Sequence, residues 1–143
     1  MTPRTLHFRT VVESPFAGSD DIVIGENVAF ARLCVRNSLM RGEAPIASHL
    51  LYTQSNILDD KDPDERSMGI AAGLAWLDVA DRHVFYTDRG WSRGMLGALH
   101  LHITGLGVTR LPVLRIRGLH KPAQLPASLD ETIEDYLTRC IER

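Results

Sequence analysis

Strand-like runs and capped, amphipathic stretches take turns along this chain, with breakers between them, and this alternation constrains the fold more than any other feature. Residues 7–13 (HFRTVVE) read as a first strand, stopped by Ser14-Pro15-Phe16-Ala17-Gly18. Over 26–41, Val28, Ala31, Val35 and Leu39 recur at helical spacing and Gly42 supplies a stop, which predicts the first helix. After Pro45, the run Ile46 to Tyr52 is too short for a helix and predicts a buried strand. Asp62, Pro63 and Glu65 form a capping pattern ahead of Ile70, Leu74 and Leu77, so a second helix starts there. A third strand is expected at 83–87, and a helix from Ser92 carries Leu96, Leu99 and Ile103 to Gly105. A fourth strand follows at 113–116, then a loop at 118–127. Ser128 and Glu131 cap a terminal helix bearing Leu129, Ile133, Leu137 and Ile141.

Such alternation predicts an α/β fold, a flavodoxin/Rossmann-like three-layer sandwich with a mostly parallel sheet of four to five strands and helices on both faces. A length of 143 residues fits one domain spanning 1–143. Ligands in these folds gather outside the carboxyl ends of the strands, here residues 13–18, 48–56 and 87–94.

Charge and composition exclude several classes. A net charge of −2 argues against a polymeric nucleic-acid partner, which demands a surplus of Lys and Arg, although a local basic spot can still hold a small anion. Cys34 and Cys140 fall on apolar helix faces, where inert thiols sit, and this fits a reducing compartment. No apolar run reaches the roughly 20 residues of a membrane span, and the first residues lack a signal-peptide layout, so a cytoplasmic protein with no membrane partner is expected.

Three constellations carry chemistry. Glu13, Ser14, Pro15, Phe16 and Gly18 place a carboxylate, a hydroxyl, a ring and a pliable backbone where a strand ends, as a sugar or base site needs; a plain turn is the alternative. His49, with Tyr52, Gln54, Asn56, Asp59 and Asp60 behind it, can donate to a phosphate or base or move a proton near neutral pH; otherwise it is a satisfied strand histidine. Ser92, Arg93, Gly94 and Met95 open a helix whose dipole, hydroxyl and guanidinium suit a phosphate; otherwise Ser92 is a simple N-cap. The acidic run 59–65 lacks the glycine and closing glutamate of a calcium loop, and helix capping accounts for it, so no metal is expected. No Walker loop, dinucleotide fingerprint, zinc spacing or G-x-S-x-G elbow occurs, and no cofactor is expected. His100 and His102, two apart on one helix, cannot both face one ligand.

In order and spacing, SPFAG (14–18), ENVAFAR (26–32), PIASHLLYTQ (45–54), ILDDKDPDERSMGI (57–70) and TDRGWSRGM (87–95) resemble the small phage and actinobacterial members of the nucleoside 2-deoxyribosyltransferase-like superfamily. The resemblance spans residues 8–117. It implies a flavodoxin-like domain, working as a homodimer or higher homo-oligomer, that binds nucleosides or nucleoside monophosphates and cuts or exchanges their N-glycosidic bond through a glutamate. Carried over, the Ser14–Gly18 turn touches sugar or base, Ser92 and the Gly94 backbone hold the 5′-phosphate, and Asp88 positions the sugar. One departure stands out: the helix glutamate that the resemblance leads one to expect is absent, with Ala98 and His100 in its vicinity. Three readings follow. Glu13 replaces the lost carboxylate, with His49 or His100 assisting; or the pocket binds a nucleotide signal without turnover, as in a phage–host defence setting; or the crevice is a relic on an oligomer scaffold.

Overall fold

The computed structural model describes residues 8–105 and 108–125. The terminal helix expected over 128–141, with Cys140, lies outside the described residues. Four strands, β1 (Phe8–Glu13), β2 (Glu43–Ile46), β3 (Arg82–Tyr86) and β4 (Val113–Arg117), form one sheet in the order β2-β1-β3-β4. Every pairing is parallel, with Thr10 opposite both Pro45 and Arg82, and Phe85 opposite Ile116. The helices are α1 (Asp21–Met40), a single turn α2 (Ser48–Leu51), α3 (Pro63–Ala75), continued by a 3₁₀ turn at Trp76–Asp78, and α4 (Arg93–Thr104). This is the expected α/β three-layer arrangement.

Two boundaries move. Helix α1 begins at Asp21, not at 26, because Asp20 caps it: its carboxylate accepts from the Val23 N–H at 2.9 Å. The poor helix formers Ile22, Val23, Ile24 and Gly25 conceal that start in the sequence. The second strand lies at Glu43–Ile46 and not at 46–52, and Ser48–Leu51 coils into α2. Among the described residues β2 is the sheet edge, where a proline such as Pro45 is tolerated because no outer strand there needs its N–H. At the other capped starts the structure agrees with the residues: Asp62 accepts from the Asp64 and Glu65 N–H groups, and Ser92 accepts from Met95 N–H.

Alternate residues of each strand face opposite layers. Val12, Val84 and Tyr86 pack on Phe30 and Cys34 of α1. Phe85, Leu114 and Ile116 pack on Met95, Ala98 and Leu99 of α4, while Val11 meets Leu77 and Ala80 on the same side. Burial, reinforced by the charge of Asp88, pushes the Cys34 thiol up to about 12, which leaves it an unreactive core group.

A largely buried charged cluster ties the sheet to α1. Glu43, fully buried, receives both guanidinium nitrogens of Arg117 at 2.6 Å, Arg82 at 2.7 Å and the Ser38 hydroxyl at 2.7 Å. Burial opposes the charge on Glu43, but these donors outweigh it and hold the carboxyl at about 2. Arg117 also donates to the Tyr86 hydroxyl at 3.2 Å.

Candidate functional site at the switch point

Chain order reverses at β1, whose neighbours are β2 on one side and β3 on the other. Such a switch point opens a crevice beyond the carboxyl ends of the two central strands. A cavity of about 550 Å³ lies there. The exit of β1 (Glu13, Ser14, Phe16, Ala17, Gly18, Ser19) forms one wall, Ser48, His49, Tyr52 and Thr53 a second, and Ser92, Arg93, Gly94, Met95 and Ala98 a third. The 58–74 segment closes the remainder with Leu58, Asp60, Glu65, Arg66, Gly69, Ile70, Gly73 and Leu74.

The β1 exit is held in place from below. Asn27 of α1 donates through Nδ2 to the carbonyls of Phe16 at 3.0 Å and Ala17 at 3.3 Å, and its own oxygen accepts from Arg89 Nε at 2.9 Å. Gly18 has to be small, since a Cβ there would stand 2.6 Å from the Val23 side chain and 3.2 Å from the Ile24 backbone nitrogen. Across the cavity, α3 approaches α2 through Gly73, whose added Cβ would meet Ser48 Oγ at 2.5 Å and Ser48 Cβ at 2.9 Å. Gly73→Ala is therefore expected to push the two helices apart and destabilise the fold by about 1–3 kcal/mol. Adding Ser48→Gly, which removes both obstructing atoms, should restore most of the loss in thermal melts. A single variant as stable as the parent would show that the contact yields without cost.

Two histidine systems meet at the β1 exit. Ser14 Oγ lies 2.7 Å from His49 Nε2. Burial lowers the His49 pKa and the Glu13 charge opposes that shift, so the ring is held neutral at pH 7. Glu13 Oε1 is 3.1 Å from His83 Nε2, and His83 Nδ1 is 3.0 Å from His102 Nδ1. A carboxylate at Glu13 accepts from His83 Nε2–H, so His83 Nδ1 in turn accepts from His102 Nδ1–H. That tautomer leaves a bare lone pair on His102 Nε2, the one buried side-chain nitrogen or oxygen without a partner among the described residues. Burial first, and then proximity to His83, lowers the His102 pKa to about 4, which fits a neutral ring.

At the third wall, Ser92 caps α4, and the Arg93 and Gly94 N–H groups at the first two helical positions have no intrahelical acceptor. Arg93 is exposed and has no ion pair among the described residues, so hydroxyl, guanidinium and free N–H groups converge at a helix amino end.

Of the residues singled out in the sequence, Glu13, Ser14, Phe16, Gly18, His49, Tyr52, Ser92, Arg93, Gly94 and Met95 all line this cavity. Three do not. Pro15 is buried in the turn behind the wall. Asp88 is turned away, its carboxylate accepting from the Leu119, His120 and Lys121 N–H groups; burial opposes its charge, but these donors prevail and lower its pKa. His100 is exposed on α4, one residue past the turn that faces inward. Asp88 and His100 thus leave the candidate catalytic set. His83 and His102 enter it as supports of Glu13, and neither carries a local motif: a histidine inside a strand and another inside a helix meet only through the fold. Gly69 and Gly73, four apart on α3, are the sequence signal that a helix comes close to this wall.

Among the described residues, no cluster of three His, Cys, Asp or Glu side chains is placed to hold a metal ion, and no helix is long and apolar enough to cross a membrane. Fold and site together define a doubly wound α/β protein with a pocket at its switch point that sets polar groups into a largely apolar lining. The chain belongs to the family described as Domain of unknown function (DUF7768), whose model matches residues 9–103. No curated protein matches it, and no solved structure does.

Proposed function

We propose that this protein binds a nucleoside monophosphate in the switch-point cavity and cleaves its N-glycosidic bond, with Glu13 as the attacking carboxylate. The observation that carries this reading is the position of Glu13. It ends a central strand, lines the cavity, is held through Oε1 by a buried histidine and shares the space with the α4 amino end. Its second oxygen has no partner among the described residues. The 5′-phosphate rests on the Arg93 and Gly94 N–H groups with the Ser92 hydroxyl and the Arg93 guanidinium, the use of a helix start that the resemblance to deoxyribosyltransferase-like proteins also implies. Glu13 attacks the anomeric carbon, the base leaves with the glycosidic electron pair and takes a proton from a water, and the hydroxide so formed hydrolyses the glycosyl ester, releasing the sugar and returning Glu13 as the carboxylate.

A second reading is binding without turnover, as for a nucleotide signal. It is favoured by Ala98, which puts only a methyl group into the cavity on the helix where the resemblance calls for a carboxylate. Incubation with a panel of nucleoside monophosphates and ADP-ribose-type nucleotides, following melting temperature and free base together, separates the two. Base release that falls at least about a hundredfold in Glu13→Gln, with the thermal shift kept, is the expected result. A shift with intact nucleotide recovered supports binding alone, and silence in both channels overturns both readings.

A further inference from the structure

The glycosidic reading uses Glu13 and leaves the shortest side-chain contact at the β1 exit unexplained. Ser14 follows directly on the strand, is almost fully buried, and brings Oγ to 2.7 Å from His49 Nε2, with both residues lining the cavity. A structural serine at such a turn normally bonds to nearby backbone, as Thr53 does with the His49 carbonyl. Ser14 is bonded instead to an imidazole 35 residues away, on a different element. We propose that Ser14 is an activated nucleophile with His49 as its general base, and that the cavity hydrolyses carboxylic esters bearing a compact apolar acyl group.

The surroundings supply what such a pair needs. With its proton on Nδ1, the His49 ring accepts the Ser14 hydroxyl proton at Nε2, and burial keeps the ring neutral and ready to do so. The charge of Glu13 acts on the same ring in the opposite sense and stabilises the imidazolium once it forms. The unpaired Arg93 and Gly94 N–H groups border the same cavity and can receive a developing oxyanion. Phe16, Leu58, Ile70 and Leu74 give the acyl chain an apolar wall. In the first half-reaction Ser14 Oγ bonds to the carbonyl carbon and its proton passes to His49. The tetrahedral intermediate then collapses, the carbon–oxygen bond to the alcohol breaks, and the alcohol leaves with the proton from His49. Water then adds to the acyl-serine, giving its proton to His49, and collapse returns that proton to Ser14 Oγ as the acid departs. The sum is ester plus water giving acid plus alcohol.

Esterase chemistry goes beyond the nucleotide reading and uses different atoms. The ester assay contains no nucleotide, so either proposal can fail without the other. The test is hydrolysis of p-nitrophenyl butyrate, together with labelling by a fluorophosphonate mapped by peptide mass spectrometry. The expected result is one adduct, on Ser14, formed with loss of fluoride. Ser14→Ala should abolish the adduct and lower ester turnover at least about a hundredfold, and His49→Gln should slow both at least about tenfold. Ser67→Ala, on the exposed side of α3, should change neither. Should Ser14→Ala unfold, Ser14→Cys keeps a nucleophile beside His49, and alkylation of the introduced thiol by iodoacetamide should outpace that of buried Cys34 at least about tenfold. No adduct, an adduct elsewhere, turnover indifferent to Ser14 or His49, or an introduced thiol that reacts no faster than Cys34 overturns the proposal.

Discussion

Arg117→Ala is expected to lower stability by about 3–5 kcal/mol, because it strands the Glu43 carboxylate in the core without its bidentate partner. For a domain of this size that corresponds to a fall in melting temperature of about 10–15 °C. The loss comes chiefly from the uncompensated charge, so a matched pair tells cause from consequence. Glu43→Gln combined with Arg117→Met removes both charges and keeps most of the volume, and it should recover at least half of the deficit. The measurement is urea unfolding of the single and double variants. A single variant within about 1 kcal/mol of the parent would mean that Arg82 and Ser38 alone satisfy Glu43, and that Arg117 is not what holds its charge in the core.

Acid should unfold the protein in two successive stages. His102 has a folded pKa of about 4 against an ordinary value of 6.5, so between those values the unfolded chain takes up a proton that the folded chain refuses. Stability is complete above 6.5, declines as pH falls, and the decline from this group ends near 4, a total of about 3 kcal/mol. Glu43 then takes over. Its folded value of about 2 lies below the ordinary 4.5, so the unfolded carboxylate protonates first and a further loss of about 3 kcal/mol spreads over that interval. Burial of His49 adds to the first stage in the same direction. Urea midpoints taken at intervals between pH 7.5 and pH 3 should trace the limb, and His102→Gln should flatten its upper part while leaving the lower part intact. An unchanged slope between pH 6.5 and pH 4 in that variant would exclude His102 as the source.

The reach of the sequence is visible in these same residues. The caps at Asp62 and Ser92 were legible because capping is chemistry between residues two or three apart, and the alternation of elements followed from such local signals. The three segments of the pocket were legible for a topological reason, since a parallel sheet puts every strand exit at one end. Strand β2 was not. Its first residue, Glu43, is satisfied by Arg82 and Arg117, 39 and 74 residues away, while the run 46–52 keeps only Ile46 in the strand and then turns into α2, none of whose residues is buried. The His83–His102 pair escaped for the same reason, because neither residue has a local partner. Asp88 stood in the right loop, but its direction depended on where the 119–121 backbone returned.

Pro45 in the edge strand has an effect outside the molecule. A strand with an open flank is a template on which another polypeptide can build, and proline removes one of the donors such an addition would use. Among the described residues, the β2 side of the sheet is thereby a poorer template for growth from one molecule to the next. Pro45→Val restores that donor, and the variant is expected to assemble into fibrils more readily than the parent on prolonged incubation.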